Sequence, residues 1–131
     1  MVGRPKKAAP ELLTDAELEL MTVLWDQGNA TARQVVSSLG DQRAYTSIAT
    51  ILRILEEKGF ATSAKDGRAL RYTPRLSRTA YQAKKLGAVL GTLFDGDPLA
   101  LVRRLITSQD LDADELQALR DLVDDASDDP A

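Results

Sequence analysis

The chain has no cysteine and no histidine. Together these two absences exclude thiolate chemistry, disulfides, zinc fingers and imidazole bases, and they argue against a thiol-bound metal or a redox switch as a means of control. There is one tryptophan, Trp25, whose helical phase with Leu18 and Met21 assigns it to core packing rather than to a ligand. No apolar run approaches the ~20 residues of a membrane span, and the first residues, MVGRPKKAAP, lack the apolar core of a signal peptide. A cytoplasmic protein without a membrane partner is expected. No HExxH, P-loop or GxGxxG pattern is present, and the paired acids Asp95 and Asp97 are explained by a helix break and a helix cap. Neither an enzyme nor a cofactor is expected. What is present is ordinary for a globular chain: 131 residues, 44% apolar and 28% charged, enough for one domain or two small ones.

The net charge of −3 conceals an asymmetry. Residues 1–85 carry 14 Lys+Arg and 9 Asp+Glu, a net of +5, and residues 86–131 carry 3 and 11, a net of −8. A basic front half is a candidate for phosphate contact, and the acidic rear half meets a different partner.

Residues 1–11 read as a flexible basic arm carrying Arg4, Lys6 and Lys7. Thr14 and Glu17 then form a capping box, opening a helix over roughly 15–26 that Gly28 stops. The signature recurs at Thr31 and Gln34 for a shorter helix through Val35, Val36 and Leu39. A third helix begins near Thr46, turns Ile48, Ile51, Leu52 and Leu55 inward, and ends at Lys58-Gly59. The period then changes. Phe60–Lys65 and Arg68–Pro74 flank Asp66-Gly67, a hairpin turn dipeptide; a strand of one or two residues near Ala30 would complete a small sheet, but no sequence signal marks one. Three helices followed by a hairpin are the order of a winged helix-turn-helix, expected over residues 12–76.

Residues 77–126 are expected to be helical again, with a disordered tail at 127–131. Ser77 caps a helix of about 78–94, Asp97 caps a second with Pro98 at its first position, and Asp112 with Glu115 opens a third. Each has one apolar stripe, and together they form a thin basis for an independent core. With metal and disulfides excluded, a two-fold homodimer is the favoured solution. Its candidate contacts are Leu90, Leu93, Leu101, Val102, Leu105, Leu116, Leu119 and Leu122. The fold class is thus mainly α: a winged helix-turn-helix followed by a helical dimerisation subdomain.

In a helix-turn-helix the second helix of the pair presents its N-terminal side chains to base edges. Here its outward face is Thr46, Ser47, Thr50 and Arg53, short hydroxyls that approach bases closely, followed by a cation. Lys65, Arg68 and Arg71 on the hairpin, together with Arg33, Arg43 and Arg53, are the candidate backbone or wing contacts, which set affinity through counterion release. The partner these residues imply is double-stranded operator DNA. The competing reading is a winged helix that docks on another protein, against which the clustered arginines argue.

The stretches LTDAELELMTVLWDQGNATARQVVSSL, AYTSIATILRILEEKGF and DGRALRYTP, with the tail LALVRRLITSQDLDADELQALRDLVDD, resemble the penicillinase-repressor family of bacterial winged-helix regulators, the BlaI, MecI and CopY group. The resemblance spans roughly residues 12–125. It implies a homodimeric repressor of palindromic operators, with base reading at Thr46, Ser47 and Thr50 and a wing contact at Arg68. It also implies release by a regulatory protease that cuts in the dimerisation helices. The Asn-Phe pair cut in the β-lactam-responsive members aligns with Arg104-Leu105, and the Arg that many members carry before the last Leu of the recognition helix is Ile54 here, with Arg at 53.

Overall fold

The structure, a computed structural model, describes residues 12–40 and 43–128; the expected basic arm and residues 129–131 of the expected tail lie outside the described residues. The elements in chain order are α1 (Asp15–Gln27), β1 (Ala30–Thr31), α2 (Ala32–Ser38), α3 (Tyr45–Glu57), β2 (Ala61–Asp66), β3 (Ala69–Pro74), α4 (Arg78–Leu93), α5 (Pro98–Ser108) and α6 (Ala113–Asp128). Two compact units result, residues 1–87 and 88–131, and the division falls inside α4.

Local chemistry sets the boundaries in the first unit. The Thr14 hydroxyl accepts the Glu17 N–H at 3.1 Å while the Glu17 carboxylate accepts the Thr14 N–H at 2.9 Å, and Thr31 with Gln34 repeats the exchange at 3.3 and 2.9 Å. Gly28, at φ +88°, ends α1 in a conformation that side chains disfavour. The third helix starts at Tyr45, beside the Thr46 that the sequence suggests; Ala44 stands at its cap, in extended conformation and with no side chain to accept an amide.

The sheet order is β1-β3-β2, all antiparallel, with Ala30 opposite Tyr72 and Thr31 opposite Arg71. Asp66 pairs with Ala69, so the hairpin turns on Gly67 and Arg68, one residue later than the Asp66-Gly67 expected. Gly67 alone takes positive φ, +65°, which matches a two-residue turn with glycine first. The shift places Arg68 at the very tip of the wing.

Leu20, Met21 and Leu24 from α1, Val35 from α2, and Ile48, Leu52 and Leu55 from α3 are fully buried together, with Phe60, Tyr72 and Tyr81 around them. Each such burial contributes about 2 kcal/mol. That offsets the moderate helix propensity of a segment holding Ile48, Ile51 and Ile54. The start of α4 belongs to this unit because Tyr81 is buried in it: its hydroxyl accepts the Leu13 N–H at 2.9 Å, and its ring lies 6.0 Å from Trp25 and 6.2 Å, edge on, from Phe60. Trp25, packed against the core as expected, also donates from Nε1 to the Leu76 carbonyl at 2.8 Å. Trp25→Phe should therefore lower the free energy of unfolding by about 1–2 kcal/mol, because the carbonyl loses its partner. A urea midpoint equal to the parent's would show that this bond holds nothing.

In the second unit Asp95 (φ +50°) and Gly96 (φ +74°) break the chain between α4 and α5. Asp97 accepts the Leu99 N–H at 3.1 Å, and Asp112 and Glu115 cap each other's amides at 3.0 and 2.8 Å. The last helix runs to Asp128, so Ser127 and Asp128, expected in the tail, are helical; no proline interrupts it before Pro130. No residue of α5 is buried, and Leu93, Leu99 and Leu122 are more than three-fifths exposed. An apolar groove of about 460 Å³ runs between α5 and α6, lined by Val102, Ile106, Leu116, Leu119 and Val123. Among the described residues no helix is long and apolar enough to cross a membrane.

Candidate nucleic-acid interface

The helical repeat divides α3 into two faces. Ile48, Leu52 and Leu55 are buried, whereas Thr46, Ser47, Thr50 and Arg53 are all exposed on the opposite side. The four residues singled out on this helix are thus brought together on one solvent-facing surface. Arg53 makes no hydrogen bond or ion pair among the described residues.

A cleft of about 230 Å³ lies between the starts of α2 and α3 and the wing, lined by Arg33, Tyr45, Ala49, Arg68, Leu70 and Tyr72. The guanidinium of Arg33 sits over the Tyr45 ring, 5.4 Å from its centre, a cation–π contact. Tyr45 is 48% exposed and was not singled out from the sequence. Its signal there was an aromatic residue at the first position of a helix, immediately before the hydroxyl run. Burial raises the pKa of Tyr72 behind it, the charge of Glu56 adds to this, and Arg53 opposes both, so the phenol stays neutral.

The wing cations fall into two groups. Lys65 and Arg68 are exposed and make no hydrogen bond or ion pair among the described residues. Arg71 is spent inside the protein, on Asp66 at 2.7 and 2.9 Å, Asn29 at 2.9 Å and Gln34 at 3.2 Å. Arg43, just before α3, is likewise paired with Glu19 of α1. In the second unit, Leu90, Leu101, Leu116 and Leu119 are half-buried and Leu93, Val102, Leu105 and Leu122 exposed.

The sequence model of the family described as penicillinase repressor matches residues 13–125. The chain belongs to the penicillinase-repressor family. The repressor is 27% identical to the penicillinase repressor of Bacillus licheniformis over 120 residues, 90% of this chain and 93% of that one. It is 25% identical to the methicillin resistance regulatory protein MecI of Mammaliicoccus sciuri over 113 residues, 85% and 92% of the two chains. Among solved structures, the DNA-binding domain of the repressor BlaI aligns with a TM-score of 0.49 at 32% identity, covering 55% of this chain and 89% of that one. The family is one of DNA-binding transcriptional repressors rather than enzymes, and membership decides between the two readings of the winged helix: this chain is a DNA-binding repressor.

Proposed function

We propose that the repressor binds a palindromic operator as a homodimer, with α3 in the major groove and the wing on the flanking backbone or in the minor groove. The observation that carries this reading is the exposed face of α3, where Thr46, Ser47 and Thr50 stand clear of the core; short hydroxyls so placed suit base edges, with thymine methyls as apolar partners for the threonines. Arg33, Arg53, Lys65 and Arg68 surround that face and meet phosphates. Two such faces about 34 Å apart would read half-sites one duplex turn apart. The apolar surfaces of α5 and α6, which bury nothing of α5 within one chain, are covered by the same helices of a second copy. Derepression follows when a regulatory protease, acting in the cytoplasm, cuts within these helices; Arg104 and Leu105 are both exposed on α5.

The reading is tested by titrating a labelled duplex from upstream of the repressor's own gene at about 50 and 200 mM salt. Four phosphate-facing cations on each of two chains predict a loss of affinity of about a thousandfold or more across that interval. Binding that is absent, or that ignores salt, refutes it.

A further inference from the structure

Arg71 stands on β3 opposite Thr31 of β1 and Ala64 of β2. Alternation along the strand puts its side chain on the face that Asp66 shares and turns the neighbouring Tyr72 into the core. From there the guanidinium reaches three segments. Its Nε and Nη2 donate to Oδ2 of Asp66, near the wing tip; its Nη1 donates to Asn29, before β1, and to Oε1 of Gln34. That Gln34 oxygen is the one that accepts the Thr31 N–H in the cap of α2. A guanidinium has five N–H donors in a rigid fork, and four are committed here. The remaining one cannot make the paired bonds by which arginine grips a phosphate.

The wing has use for such a tie. Among the described residues β1 pairs with Tyr72 and Arg71, so the hairpin from Lys65 to Leu70 extends past the third strand, where its backbone pairs only within the hairpin. Arg68, at the tip, is aimed by whatever fixes that extension. We propose that Arg71 is a positioning residue of the DNA-reading surface, one that locks the wing to the cap of α2 and, neutralised by Asp66, presents no charge of its own to DNA. Arg68 and Lys65 alone then supply the wing's phosphate contacts. The inference rests on the placement of the wing against DNA given above.

Two variants of the full chain test it. Asp66→Asn with Arg71→Gln removes the pair without changing net charge, and Arg71→Lys keeps the charge but loses the fork. In the free protein, hydrogen exchange of the Lys65–Leu70 amides should be about tenfold faster in both; rates equal to the parent's overturn the lock. In titrations across salt, both variants should keep the parent's slope while preference for the labelled duplex over random DNA falls about three- to tenfold. A slope shallower by about one per chain in the paired variant, with Arg71→Lys behaving as the parent does, would make Arg71 a phosphate contact and overturn the proposal. Arg68→Ala, run alongside, should lose about one unit of slope per chain. If it loses none, the placement of the wing on DNA is what fails, and the exchange rates alone decide the lock.

Discussion

Lys58→Met should lower the free energy of unfolding by about 3 kcal/mol, and adding Glu17→Gln should restore most of that loss. Glu17 is only 6% exposed. Its two oxygens take the Lys58 ammonium at 2.8 and 2.9 Å, and one of them also accepts the Thr14 N–H. Burial alone would raise the pKa of this carboxyl, but the hydrogen bonds and charge of Lys58 and the Thr14 amide outweigh it and hold the value below the usual range. Without the ammonium, the carboxylate is left in a site chosen for an ion pair. Glutamine in its place keeps the capping box and carries no charge, so the doubly substituted protein has no buried ion. The sign of the pH dependence follows from the lowered value. The pair contributes fully above the unfolded pKa of glutamate, about 4.3, and its contribution is lost as the pH falls from there through the folded pKa. Urea unfolding from pH 7 to pH 3 should show the parent losing stability over that window more steeply than Glu17→Gln. Equal losses would mean that Glu17 is not held ionised by the fold.

Thr46→Ala combined with Thr50→Ala should reduce preference for the operator over random DNA by about 30- to 150-fold per half-site, from roughly 1–1.5 kcal/mol of lost discrimination at each position, and by about a thousandfold or more for the dimer on both half-sites. Both side chains are exposed and cap nothing, so folding stability should change little. Affinity for random DNA should survive, because Arg33, Arg53, Lys65 and Arg68 remain. Competition titrations with random duplex check this. Equal loss on both DNAs would move base reading away from the start of α3.

Features set by near neighbours were legible in the sequence. Thr14 and Glu17, Thr31 and Gln34, and Asp112 and Glu115 are three residues apart, and each pair closes its cap as the pattern predicts. The two faces of α3 follow from its 3.6-residue repeat, because the burial of Ile48, Leu52 and Leu55 leaves Thr46, Ser47 and Thr50 no other side. The hairpin was legible to within one residue. There Asp66 pairs with Ala69 and bonds Arg71 as the last residue of its strand, and glycine takes the first turn position instead of the second.

Which cations are available to a partner was not legible. Arg43, Arg68 and Arg71 look alike in a one-dimensional charge pattern, yet Arg43 meets Glu19 and Arg71 meets Asn29, 24 and 42 residues away. Tyr81 was passed over for the same reason: α4 advertises the stripe of Leu86, Val89, Leu90 and Leu93, while the tyrosine that anchors it bonds Leu13, 68 residues back. The sequence by itself determined the element order, the caps, the exposed polar face of α3 and the family. Only the tertiary structure decided that Arg68, at the tip, has no hydrogen-bond partner among the described residues while Arg71 behind it bonds Asp66, Asn29 and Gln34. A capping or periodic preference is settled within a turn or two of chain, whereas the partner of a long flexible cation depends on which acceptors folding brings within 3 Å, and no local rule encodes that.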